Sequence, residues 1–280
     1  MGQSSGCGQG HANGNGVGAN LAYTKFLFVM ARTDDDAHGA RLRTAGGNIA
    51  RGFFNDFDID DSRETQAQPF ETIQFFVRDG DLPEPSPGCV GPCINKARHL
   101  VQVSSKYRPR LQEIEEELRR RIGDAADVLA LDGAVRVPRY TSPEMAHYSN
   151  KGAPVRRSGR ASRNAIIVPI RKTAEWWQKT PLERHAYFYP HVDEKSACPV
   201  KGHAVAAERG IPSLFRRVYH NPDGYQRPGE FDFVTYFECE DEGLPVFDGV
   251  LESLRDVTQN PEWEYVQEGP IWRGKRVLRW

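Results

Sequence analysis

Apolar residues fall along this chain in short blocks that change period. YTKFLFVMA, from Tyr23, and FETIQFFV (70–77) are near-continuous apolar runs, the pattern of strands buried on both faces. Between 107 and 122 the period lengthens: Tyr107, Leu111, Ile114, Leu118 and Ile122 recur at three- and four-residue steps with charges between them. That spacing predicts an amphipathic helix stopped by Gly123. The second half reads more clearly. NAIIVPIRK (164–172) is an apolar strand, Thr180-Pro181 caps a helix over LERHAYF, and HAVAAERG (203–210) is a short helical piece. PSLFRRVYH (212–220) and FDFVTYFEC (231–239) are strands. FDGVLESLRDV (247–257) is a helix with Phe247, Val250, Leu251, Leu254 and Val257 on one face, and EYVQEGPIW (264–272) is a closing strand.

The order in the second half is β-α-β-β-α-β, a ferredoxin-like unit with its helices on one face of an antiparallel sheet. A second such unit in residues 21–150 would cover the other sheet face. The expected architecture is therefore α+β, two ferredoxin-like units forming a barrel with pseudo-two-fold symmetry. Residues 1–20, rich in Gly, Asn and Ser, read as a flexible tail; their GNGVG follows no strand and opens no helix, so it is no phosphate loop. The segment 81–93 is loop, punctuated by proline and glycine. Residues 132–163 read as a long polar connection, with a basic linker at 151–163 before the second unit at 164–280.

Composition narrows the class. The chain has 280 residues, 39% of them hydrophobic, so it can bury a core, and its net charge of −1 calls for neither nucleic acid nor an anionic membrane surface. No stretch of about 18 apolar residues could span a bilayer. Nothing near the start reads as a signal peptide, and five cysteines at irregular spacing fit a reduced, cytoplasmic setting better than a disulfide frame. Cys89 and Cys93 with His99, and Cys198 further on, have partial zinc-site spacing, but a second cysteine pair is missing, so structural thiols are the preferred reading. Cys239 reads as a buried strand thiol, and Cys7 lies in the tail.

The blocks VPIRKTAEWW, TPLER, FRRVYHNPDG, FDFVTYFE and LRDVTQNPEW, in that order, resemble the chlorite dismutase family over residues 164–275. The resemblance implies a dimeric α+β barrel related to the coproheme decarboxylases, heme b as cofactor, and a closed homo-oligomer, expected to be a homopentamer. It implies an enzyme: a heme-dependent oxidoreductase taking a small oxyanion or a peroxide, with decomposition of chlorite to chloride and dioxygen as the first reading. A peroxidase or oxidase with an organic substrate, and a non-catalytic heme-binding module, are the alternatives.

The family's proximal histidine lies fifteen residues past the first tryptophan and thirteen before the distal position. Counting from Trp176 gives His191; counting back from Arg216 gives His203. The insertion VDEKSACPVKGH separates the two, with His191 preferred and His203 the alternative for the iron. Arg216 stands where the dismutases carry a distal arginine, whose forked, permanent charge suits an oxyanion. Strand alternation would then turn Arg217 away, as a surface arginine. Trp176 and Trp177 match the tryptophan pair beside the heme. Gln259 stands where the dismutases have a glutamate bonded to the proximal histidine, and an amide would polarise the imidazole less. Val168 replaces the tyrosine with which short-loop coproheme decarboxylases begin their radical chemistry, which disfavours decarboxylation.

Overall fold

The computed structural model describes residues 20–32, 40–41, 43–45, 72–80, 90–137, 141, 143–155 and 161–277. Strands β1 (Asn20–Ala31), β2 (Thr72–Arg78) and β3 (His99–Ser105) lead to helix α1 (Arg108–Ile122) and strand β4 (Ala126–Arg136). A short helix, α2 (Pro143–His147), precedes the second half. There β5 (Asn164–Lys172) is followed by α3 (Ala174–Gln178), α4 (Pro181–Ala186) and the hairpin β6 (His191–Val192) and β7 (Pro199–Val200). Next come α5 (Gly202–Glu208), β8 (Phe215–His220), β9 (Phe233–Cys239), α6 (Leu244–Arg255), β10 (Val266–Glu268) and β11 (Trp272–Val277).

One sheet runs β10-β5-β11-β2-β3-β1-β4-β8-β9, and β9 pairs back onto β5. Because β10 and β11 share one edge of β5, the strands other than β10 form a closed antiparallel barrel. This is the expected α+β barrel. Its interior is aromatic: Phe26, Phe28, Phe76, Tyr219, Tyr236 and Trp272 fill it, with Phe26 edge-on to Tyr219 at 5.2 Å. Inside residues of β1 alternate with Leu27 and Val29, which face α1, so this strand is apolar on both sides. The halves meet at two seams: β11 pairs with β2 at four positions, and the seam of β4 with β8 is thinner. β4 meets β8 through Ala134 and His220 alone, and Gly133 makes room there, since a Cβ would stand 2.6 Å from that of Tyr219. A two-pronged ion pair from Arg108 to Asp223 (2.6 and 2.5 Å) and the bond from Gln102 Nε2 to Tyr219 Oη at 3.0 Å tie the seam together.

Several local expectations change. Residues 132–136 belong to β4: each of them pairs with β1, and Val135 packs into the barrel interior. β3 was hidden by polar positions: Gln102, Ser104 and Ser105 are buried, with Gln102 Nε2 donating to Tyr219 Oη, Ser104 Oγ bonded to Thr24 Oγ1 and Ser105 Oγ accepting from Tyr107 N. The expected strand 264–272 is two strands, broken at Gly269-Pro270, where any side chain on Gly269 would strike the Phe231 ring. Val257 lies past the end of α6 and is exposed. Gly123 ends α1 at φ +55, as the pattern predicted, and Thr180 caps α4 in a reciprocal box with Glu183. Among the described residues no helix is long and apolar enough to cross a membrane.

Candidate functional site

On the outer face of the second half the sheet and helices do not close. β5, β9 and β8 lie side by side in register, so that Val168, Thr235 and Val218 form one row, and Ile170, Phe233 and His220 the next. Phe237 and Arg216 continue this floor. α5 and α6 form the roof, with Ala207, Val250, Leu251 and Leu254, and the segment carrying Thr141, Met145 and Ala153 closes the end near Arg216. Between them lies a mainly apolar cavity of about 1360 Å³, counting the part continuous with solvent.

His203 enters at the first turn of α5. Gly202, just before it, has φ +71, and a Cβ there would meet the Tyr189 and Tyr187 carbonyl oxygens at 2.6 and 3.0 Å. The glycine lets the helix start dock on those carbonyls, through His203 N to Tyr187 O at 3.0 Å and Ala204 N to Phe188 O at 2.8 Å. The side chain is then fixed by Glu262: His203 Nδ1 lies 2.7 Å from Oε2, and Lys172 Nζ lies 2.6 Å from Oε1 of the same carboxylate. Burial alone would push the Glu262 carboxyl up; the Lys172 ammonium and His203 overcome it and hold the group near about 2. An ionised carboxylate only accepts, so Nδ1 carries a proton toward Glu262 and Nε2 is the ring nitrogen turned away from it. Lys172 Nζ also stands 4.2 Å over the Trp176 ring.

The structure brings together Trp176, His203 and Arg216 on one cavity and leaves the other candidates off it. Trp176 is buried, and its indole N–H has no hydrogen-bond partner among the described residues. Trp177 points elsewhere: its Nε1 donates to Asp232 at 3.1 Å and its ring stacks on Tyr225 at 4.2 Å. Arg184, of the TPLER block, clamps both tryptophans by donating to the carbonyls of Trp176 and Trp177 at 3.1 and 3.0 Å. His191 sits in the inserted hairpin, bonded to Tyr189 O at 2.9 Å, and does not line the cavity. Gln259 does not line it either; its carbonyl accepts from Lys201 N and Gly202 N at 3.0 Å each, so it acts on α5 through the main chain. Arg216 and Arg217 do face opposite ways. Arg217, however, is buried beneath the sheet, over the Phe215 ring, rather than on the surface. Cys239 is buried, and burial pushes its thiol up to about 11. Cys93 and Cys198 are exposed, while Cys7 and Cys89 lie outside the described residues, as does most of the expected tail. Among the described residues no group of three His, Cys, Asp or Glu is placed to hold a metal ion by itself.

Three lining residues escaped the sequence reading. Glu262 lies three positions past Gln259 in the same NPEW block, where Pro261 opens a tight turn toward His203. Lys172 ends a strand whose apolar face drew the attention. His220, at the far end of the floor, shares a hydrogen bond with Tyr225 Oη at 3.0 Å, and burial with Arg136 nearby pulls its imidazole down to about 3.

An apolar cavity lined by the His203 imidazole, the Trp176 indole and the Arg216 guanidinium has a donor set that fits a heme. No family model matches the chain. A chlorite dismutase from Ideonella dechloratans is 28% identical over 142 residues, half of this chain and 44% of that enzyme. Crystal structures of chlorite dismutase variants from Candidatus Nitrospira defluvii superpose over 92% of both chains, with TM-scores of 0.61 and 0.62 at 16% and 18% identity. The chain is similar to chlorite dismutases. The similarity to the solved structures is one of fold and spans both halves of the barrel, including the first half, where no sequence block pointed to it. The matched segment spans less than half the length of the Ideonella enzyme.

Proposed function

We propose that this protein is a heme b-dependent oxidoreductase that decomposes chlorite to chloride and dioxygen, or turns over a related small oxyanion or peroxide. The observation that carries this reading is the convergence of the Lys172–Glu262–His203 chain and Arg216 on one apolar cavity. His203 Nε2 would ligate the iron, with Trp176, Phe188 and the α6 side chains packing on the ring. Heme bound there supplies an iron that changes oxidation state as an oxygen atom leaves the oxidant.

The chain's own groups do the rest. Glu262 keeps the proton on Nδ1 and, as an anion, makes the imidazole a stronger donor; Lys172 keeps Glu262 ionised. The carboxylate that Gln259 lacks is thus supplied three residues on. Arg216 draws an anion into a low-dielectric space and retains the oxyanion product beside the reaction centre. A pure heme carrier has no need of that cation. Val168 lies on the floor and offers no phenol, which counts against coproheme decarboxylation.

The test is reconstitution with heme, followed by chlorite addition in an oxygen electrode. Arg216→Ala should keep the heme spectrum and lose about 10²–10³ of the turnover, the usual effect of removing one preorganised oxyanion donor. Full turnover in Arg216→Ala, or Arg217→Ala as the inactive variant, would overturn the assignment. A ring of five copies and a cytoplasmic setting complete the proposal; light scattering that gives a mass near 31.6 kDa would remove the ring.

A further inference from the structure

We propose a second, surface oxidation site at Tyr187 and Tyr265, connected to the cavity through Trp176, at which phenolic one-electron donors too large for the cavity are oxidised. This rests on the heme reading and on a peroxide as oxidant.

Trp176 lines the cavity on one side, and on the other it meets two tyrosines. Its ring centroid is 5.6 Å from that of Tyr187 and 5.8 Å from that of Tyr265. The tyrosine rings are 5.6 Å apart and their hydroxyls 3.3 Å apart. Both are half-buried, so the path runs from the cavity to solvent in one aromatic step past Trp176. Cations gather at the pair: Lys179 Nζ lies 4.9 Å from the Tyr265 ring centroid and 5.2 Å from that of Tyr187, and Lys195 Nζ, paired with Glu264 at 2.5 Å, lies 5.7 Å from Tyr265.

These charges set a direction. The Lys172 ammonium over Trp176 disfavours keeping a positive hole on the indole. Tyrosine escapes this, because it sheds its proton on oxidation and ends as a neutral radical. Burial would raise the Tyr265 phenol, but its bond to Tyr187 and the two ammonium groups bring it below its ordinary value, which eases proton loss. Tyr225, stacked on Trp177, is the contrast: burial pushes its phenol up, so it holds its proton.

The electrons balance. A hydroperoxide reduced to alcohol and water in the cavity consumes two electrons and two protons. Each electron leaves through Trp176 and is replaced from Tyr265, whose phenolic proton passes to water. The tyrosyl radical then takes a hydrogen atom from a phenol, which departs as a phenoxyl radical, so two phenols are consumed per peroxide.

The test uses the heme-loaded protein and the double variant Tyr187→Phe/Tyr265→Phe, which keeps both rings and removes both phenols. The heme absorption spectrum is taken first, and its absence in the parent protein would defeat the heme reading itself. After peroxide and a spin trap, peptide mapping should find the adduct at Tyr187 or Tyr265. The double variant should keep the heme spectrum but lose the adduct and the oxidation of a bulky phenol. Peroxide consumption in the parent without an adduct at either position, or unchanged bulky-phenol oxidation in the variant, would overturn the proposal. Heme-free protein gives a second readout: azide radicals generated by pulse radiolysis oxidise tryptophan, and transfer of that radical to tyrosine should be lost in the double variant. Unchanged transfer would contradict the path.

Discussion

The two halves of the barrel cover their sheets differently. In the first half one long helix, α1, lies directly on the strands, and Leu111, Ile114, Leu118 and Ile122 interlock with Leu27, Ile73, Phe75 and Val101. In the second half the cover is divided between α5 and α6, which stand off the sheet and leave the cavity between Val168, Thr235 and Phe237 below and Val250, Leu251 and Leu254 above. The same strand framework thus carries a filled face and a hollow one. The hollow face holds the buried ion pair, with Lys172 and Glu262 side chains only 8% and 5% exposed, and the His203 imidazole. The filled face is packed core, and the hollow face carries the candidate site.

The largest effect should come from breaking that ion pair. Glu262→Gln leaves the Lys172 ammonium buried without its anion, and removing one partner of such a pair costs about 3–5 kcal/mol, read in urea unfolding. On the filled face, Ile114→Ala should cost about 2–5 kcal/mol, because packed neighbours cannot collapse around the hole. Val250→Ala, beside space that already exists, should cost clearly less in the same denaturation series. Equal costs would mean that the cavity closes in solution.

Gly202→Ala is expected to cost about 1–3 kcal/mol, the range for backbone held in a strained region, and to weaken heme binding more than stability. Titration with heme, compared with thermal unfolding, separates the two. A further effect is one of pH. His220 is neutral when folded and takes up a proton only near about 3, whereas an unfolded chain takes it up below 6.5, so its contribution is complete above 6.5 and lost as pH falls toward 3. Glu262, held near about 2 against an ordinary 4.5, adds a further loss below 4.5. His220→Gln should therefore remove the acid loss between pH 6.5 and 4.5, reduce it between 4.5 and about 3, and leave the Glu262 loss below 4.5.

Legibility did not follow this divide. Apolar runs and capping signals marked β1, β2, α1 and α4, where local pattern and packing agree. β3 and the end of β4 were obscured because the barrel buries Gln102, Ser104 and Gly133, residue types that locally signal loop or turn. At the site, family spacing found Arg216 and the Trp176 corner but divided the histidine between two positions. A count along the chain cannot see that the insertion folds into its own hairpin, carrying His191 away while α5 brings His203 to Glu262. Gln259 stands three residues before Glu262, the carboxylate that meets His203.

The central claim is that His203, held by Glu262, is the iron ligand. The direct measurement is the heme absorption spectrum of His203→Gly and His191→Ala, each recorded before and after addition of imidazole. The account predicts that His203→Gly loses the parent spectrum and regains it with imidazole, while His191→Ala is unchanged throughout. A His203→Gly protein with the parent spectrum, or loss and rescue in His191→Ala instead, would contradict it.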